Sequence, residues 1–166
     1  STITILSVSN ITPVSIVTGK TLSGAIYVTS GSIKLIDTGT LASTVSMSGG
    51  TLDVDNSLTI SGALTQSGDI TIDVVTNKTL SYSGPSFSLG GSTLSLSGGG
   101  SFANINPLRL DNAESKLLLS AITVDKVSTS VGNSLGIEVE NDSTITSLSL
   151  PQKLRLSVAS SKTLKI

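Results

Sequence analysis

Three pairs of carboxylates stand at even spacing in alternating segments of the chain: Asp53 with Asp55, Asp69 with Asp73, and Glu138 with Glu140. Two acids flanking a bond perform glycoside hydrolysis, one protonating the leaving oxygen while the other attacks or activates water. On an extended strand, even spacing puts both members of a pair on the face opposite their aliphatic neighbours. Each pair is therefore expected to look into solvent as an ordinary strand surface. Sugar-processing sites also bring aromatic or Arg platforms, and this chain holds only 2 Phe, 2 Tyr and no Trp. The same oxygens, in Asp69, Asp73 and the cluster Glu138, Glu140 and Asp142, are the candidate ligands for calcium, a hard cation that takes carboxylates. No Asp-Gly calcium loop repeats along the chain, and no other cofactor is expected.

The remaining reactive groups lack helpers. With no His and no Cys, Ser-His-Asp and Cys-His nucleophile schemes and His-ligated metals are excluded within one chain. The many Ser and Thr hydroxyls are then surface, and the chain is not expected to be an enzyme. Gly90-Gly91 and Gly98-Gly-Gly100 lack the Lys-Ser/Thr ending of a phosphate loop and read as corners. Thr-x-Thr triplets, which line the faces of ice-binding solenoids, occur at Thr2-Ile-Thr4, Thr38-Gly-Thr40 and Thr144-Ile-Thr146. Their separations do not match a coil period, so they are not expected to form one array.

What must position these groups is an all-β framework. Aliphatic and polar residues alternate with period two in Thr51-Leu-Asp-Val54, Asp69-Ile-Thr-Ile-Asp-Val74, Ile137-Glu-Val-Glu140 and Lys153-Leu-Arg-Leu-Ser-Val158. Alternation of this kind buries one face of a strand and wets the other. Turn formers such as Ser48-Gly-Gly50, Asp55-Asn56, Ser67-Gly68 and Gly84-Pro85 cut the strands short. One stretch, residues 111–119, has helix-like features, with Asp111 or Asn112 as N-cap, but Leu117 to Val124 also reads as a buried strand. The scarcity of aromatic residues leaves a core of many small aliphatic contacts, without an aromatic cluster to anchor it.

A phrase of small polar residue, Thr or Ser, then Leu recurs at Leu22, Leu41, Leu58, Leu80 and Leu94, and again at Leu135 and Leu164, whereas Gly50-Thr-Leu52 falls off that ladder. Short strands recurring about every twenty residues describe a parallel β-solenoid of roughly eight irregular coils over a single domain, residues 1–166. A β-sandwich with strand exchange between subunits is the alternative.

The run Gly49-Gly-Thr-Leu-Asp-Val-Asp-Asn-Ser-Leu-Thr-Ile-Ser-Gly-Ala-Leu64 resembles the imperfect repeats of parallel β-helix surface proteins of the autotransporter-passenger and filamentous-haemagglutinin-like type. That resemblance implies a β-helix exported to the cell surface, acting in adhesion or as a rigid stalk.

Both ends read as strand without a cap. Thr2, Ile3, Thr4, Ile5 and Val8 at one end, and Leu154, Leu156, Val158, Leu164 and Ile166 at the other, are the candidate self-association residues. Between Lys34 and Lys78 the charges are Asp37, Asp53, Asp55, Asp69 and Asp73, while Lys153, Arg155, Lys162 and Lys165 make a basic tail. Unlike patches on successive subunits would attract. The expected role is an extracellular or cell-surface structural subunit of a filament, sheath or surface layer, its partner being itself. The alternative is a rod segment of a larger adhesin binding surface glycans. The chain starts at Ser1, as expected of a processed product or a fragment. No apolar run is long enough to span a bilayer, and a net charge of −1 gives no field to attract nucleic acid.

Overall fold

The computed structural model describes the backbone of residues 2–8, 10–14, 19–36 and 38–166, and the side chains of residues 10, 19–36, 38–132 and 135–166. Asp37 lies outside the described residues. Among them there are strands and no helix, hence none long and apolar enough to cross a membrane.

The chain winds in laps. The first two hold β1 (Thr2–Val8) with β2 (Ile11–Val14), then β3 (Thr21–Val28) with β4 (Ser32–Leu35). Four three-strand laps follow. They are β5 (Thr40–Leu41), β6 (Thr44–Met47) and β7 (Thr51–Val54); then β8 (Leu58–Ile60), β9 (Leu64–Gln66) and β10 (Ile70–Val74). Next come β11 (Thr79–Tyr82), β12 (Phe87–Ser88) and β13 (Thr93–Ser97), and β14 (Ser101–Ala103), β15 (Leu108–Leu110) and β16 (Lys116–Leu119). The last laps are β17 (Thr123–Thr129) with β18 (Asn133–Val139) and β19 (Ser143–Ser149) with β20 (Leu154–Val158), followed by β21 (Leu164–Lys165).

Strands pair in parallel with those one lap above and below, except at the edges and at the step from β9 to β12, which no ladder joins, and this makes the molecule a parallel β-solenoid. One wall is an eight-stranded sheet, β2-β4-β7-β10-β13-β16-β18-β20. The rest is a 13-stranded sheet bent into two facets, because β3 pairs with β5 through Thr21 and Leu22 but with β6 through residues 25–28. Eight strands in one wall are seven turns from first to last, roughly 34 Å at the usual spacing between strands.

The inner ladder of the eight-stranded wall runs Ile33, Leu52, Ile72, Leu96, Leu119, Val139, in register, each at most 1% exposed. The step between rungs varies from 19 to 24 residues, so the rungs stay aligned while the corners absorb the difference. Backbone hydrogen bonds follow the same offset through the corners, as from the Ser61 amide to the Leu41 carbonyl (2.9 Å) and from Ser83 to Ile60 (3.0 Å). Corners stack closely: a Cβ on Gly62 would overlap the Ser43 carbonyl of the preceding lap.

Two sequence expectations are revised, and two further readings are made definite. The Leu ladder splits between walls: Leu22 aligns with Leu41 and Leu58 with Leu80 in the long sheet, but Leu41 aligns with Ile60, one alternation further along. Leu94 belongs to the eight-stranded wall, and so does Leu52, which stands on its central ladder. Secondly, an aromatic cluster does anchor the core. Tyr82, Phe87 and Phe102 are fully buried, with Tyr82 6.4 Å from Phe87 and 6.3 Å from Phe102 between ring centroids. The corner at Gly84-Pro85 folds Phe87 back toward Tyr82, and Phe102 enters from the next lap. Thirdly, the helix-like stretch is a turn leading into β16. Asn112 Oδ1 accepts the Glu114 amide (2.9 Å), and the Asn112 carbonyl accepts the Ser115 amide (3.0 Å), so the capping chemistry closes a turn. Finally, Thr40 and Thr144 stand in different rows of one sheet, so the triplets form no single array. Thr40 stands in the row Thr21, Thr40, Thr59, Ser81. Thr144 stands in the row Thr79, Ser101, Thr123, Thr144.

Candidate self-association site

At the C-terminal edge, among the described residues, β20 pairs only with β18, and β21 only with β19. Leu156 aligns with Ile137, and Val158 with Val139, both 0% exposed, so Val158 continues the inner ladder and Leu156 the one beside it, Leu94, Leu117, Ile137. Among the described residues no further strand covers them, and they are 48% and 40% exposed. Leu154 and Leu164 are partly buried and packed against the core, and Ile166 is the most exposed large apolar residue among the described ones, at 65%. The structure thus brings all five C-terminal candidates to one edge. Sequence reasoning missed Leu150, exposed beside them, and Leu148, which packs against the core. Both fall out of phase with the inward positions Ser143 and Ile145 of β19, so alternation gave no signal for them.

The geometry of this edge is set by two local devices. Gly136 takes a φ of +69° at the irregular register between Asn133 and Ile137, and a Cβ there would overlap the Arg155 carbonyl. The Asp142 carboxylate accepts the Thr163 amide at 2.8 Å, fixing the corner that starts β21. Lys153, Arg155, Lys162 and Lys165 are all exposed here.

At the opposite edge β1 pairs only with β3, Thr2 opposite Ser23, Ile3 opposite Gly24 and Val8 opposite Val28, with a shift between Ile3 and Leu6. β2 pairs only with β4. The side chains of Thr2, Ile3, Thr4, Ile5 and Val8 lie outside the described residues, so their part in the site is a matter of backbone alone. No charged residue occurs before Lys20.

The paired carboxylates lie on or beside strands of the eight-stranded wall, whereas Asp142 stands at the C-terminal corner. Lys34 reaches both Asp53 (3.1 Å) and Asp55 (2.9 Å) across one strand gap, and the two carboxylates hold its ammonium above the ordinary lysine value, Asp55 contributing most. Asp69 accepts the Thr93 amide at 2.8 Å, and Asp73 accepts the Ser97 hydroxyl, its register partner. Lys116 sits 2.5 Å from Glu138, and its hydrogen bond draws the Glu138 carboxyl below the usual range. Among the described residues no group of three or more acids is placed to hold a metal ion. Of the acidic region, Asp53 and Asp55 are thus paired laterally with Lys34, while Asp69 and Asp73 accept from neutral groups of the next lap.

Two hollows open on the sides of the rod. One, of about 230 Å³, lies at a corner beside Asp142, Thr144, Thr163 and Lys165. The other, of about 240 Å³, lies beside Tyr27, which is 44% exposed, with Ser46, Thr65 and Gln66 along its wall. No family profile, curated protein or solved structure matches the chain.

Proposed function

We propose that this protein is an extracellular structural subunit that lengthens head to tail, the edge β20–β21 of one copy receiving the edge β1–β2 of the next. The observation that carries this reading is the exposure of Leu156 and Val158, one rung each of two adjoining inner ladders left without the lap that would cover them. Both edges belong to the same stack of parallel strands, so the first lap of a second copy has the outline of the missing lap. Such a contact is heterologous and does not close, which yields a filament. Burying a Leu or Val side chain contributes roughly 1.5–3 kcal/mol, and the unpaired backbone groups of β20 add strand hydrogen bonds. A filament, sheath or surface layer fits these properties, as does the likeness of residues 49–64 to β-helix surface proteins.

Sedimentation velocity and negative-stain imaging across a concentration series test it. Rods whose length grows with concentration are expected, and the double substitution Leu156→Lys with Val158→Lys should leave folded monomers by circular dichroism. Wild-type protein that stays monomeric throughout, or rods that survive the double substitution, would refute the assembly.

A second reading, a glycan-binding rod segment of a larger adhesin, is favoured by Tyr27. Its ring stands on the outer face beside a hollow lined by the Ser46 and Thr65 hydroxyls, which bond to each other at 3.0 Å. Aromatic rings and hydroxyls together are sugar-recognition chemistry. Binding on a glycan array that is lost in Tyr27→Ala is the expected result under that reading; unchanged binding would sink it.

A further inference from the structure

The outer face of the 13-stranded sheet carries two rows of hydroxyls in register with the laps. Thr21, Thr40, Thr59 and Ser81 make one row, which Ala103 continues. Thr79, Ser101, Thr123 and Thr144 make the other, which Lys165 ends. The rows run side by side where they meet, two residues apart along β11, where Thr79 and Ser81 flank the buried Leu80. Their neighbours along each strand, Leu41, Ile60, Phe102, Val124 and Ile145, are all 0% exposed, so the hydroxyl-bearing residues face outward.

The array is fixed in two dimensions by the backbone. Rungs along the rod axis repeat at about 4.8 Å, and positions two apart on a strand at about 6.7 Å. Side-chain bonds hold parts of it still: Asn104 Nδ2 donates to Ser81 Oγ, and Ser57 Oγ accepts the Thr79 amide at 3.0 Å. Charge enters this face at Asp125, two residues beyond Thr123, and at Lys165 at the end of its row, whereas the outer face of the eight-stranded wall carries Lys34, Asp53, Asp73, Lys116 and Glu138.

We propose that this hydroxyl face binds ice. A ligand for such a face must itself repeat at fixed spacing in two directions and offer both donors and acceptors. Ice does so, its surface oxygens standing in rows separated by distances of this order, while liquid water keeps no fixed spacing. Each hydroxyl contact is weak against competition from water. A rigid array makes many at once, with its ordering cost already met by the strand ladder. A polysaccharide would call for a ring platform, and the aromatic residues of these same strands, Tyr82 and Phe102, are turned inward and fully buried. A phosphate-bearing polymer would call for cations, which the rows lack up to Lys165. The inference uses the side of the rod and is independent of the stacking edges.

Ice-affinity partitioning tests it: the full chain is mixed with a soluble protein that ice excludes, and a polycrystalline ice shell is grown slowly from the solution. Wild type is expected to enter the ice, and the double substitution Thr59→Lys with Ser81→Lys, at the centre of the face, should fall to the level of the excluded protein. Thr71→Lys, on the outer face of the eight-stranded wall, should partition like wild type. Circular dichroism on each variant separates loss of the face from loss of the fold. Wild type excluded from ice would overturn the proposal, as would T59K/S81K entering ice unchanged. So would binding to crystalline cellulose or chitin in place of ice, which would reassign the face to polysaccharide.

Discussion

Tyr82 shows how much one buried group can do in a core made mostly of aliphatic side chains. Its hydroxyl accepts the Leu64 amide at 3.1 Å while its ring meets Phe87 and Phe102. Tyr82→Phe keeps the ring contacts but leaves a buried N–H unpaired, so chemical denaturation should show a loss of about 1–3 kcal/mol. Burial pushes the Tyr82 phenol above its ordinary value of 10.0, against the pull of the Leu64 hydrogen bond. A group raised on folding contributes fully below its unfolded pKa and loses that contribution as pH rises through the folded one. Stability should therefore fall above pH 10, with Tyr82 phenolate absorbance appearing only as the protein unfolds when measured in a Tyr27→Phe background. Glu138 has the opposite sign. Its hydrogen bond to Lys116 lowers its pKa from 4.5, so its contribution is present above that value and lost as pH drops through the folded one. Both partners are substantially exposed, and Glu138→Gln should flatten the acid limb of stability by only a few tenths of a kcal/mol. The effect should shrink further in high salt. At Gly136, the left-handed backbone and the Arg155 carbonyl together exclude a side chain, and Gly136→Ala should lower stability by about 1–3 kcal/mol in the same denaturation assay.

At the level of strands and corners, alternation carried most of the legible information. Residues 51–54 and 69–74 each read as a strand with Leu, Ile or Val inward, and β7 and β10 alternate buried and partly exposed positions in that way. The carboxylates of those strands face outward, but nothing in the spacing showed that Lys34, 19 residues before Asp53, would stand beside it. Lap length is the reason. Because the step between rungs varies from 19 to 24 residues, a recurring phrase such as Thr-Leu cannot by itself tell which wall it joins. The same uncertainty hid the hydroxyl rows, since Thr40 and Thr144 share a face only once each intervening corner has been counted. It also hid the aromatic cluster, whose members lie five and twenty residues apart around a Gly-Pro corner. The C-terminal candidates needed no such count. Leu154, Leu156, Val158 and Leu164 lie within two short strands, with Ile166 just beyond the second, and reach one edge whatever the earlier laps do.

For the whole molecule, each lap touches chiefly its two neighbours, so stability is close to a sum over laps and the edges open first. Hydrogen exchange should find the slowest amides in β7, β10 and β13 and much faster ones in β20 and β21. If copies stack, protection in β20 should rise with protein concentration, which gives a residue-level readout of assembly. The stacking of parallel strands crosswise to the rod also fixes how it yields to force. A pull along the axis, applied at the two termini, loads the strand hydrogen bonds in tension a lap at a time instead of shearing a whole ladder together. The rod should therefore peel from an edge at low force, each released lap of about twenty residues adding roughly 70 Å of slack chain. A pull across the axis would load many laps together and meet far greater resistance, so a fibre of such rods would be stiff to bending and soft to stretching.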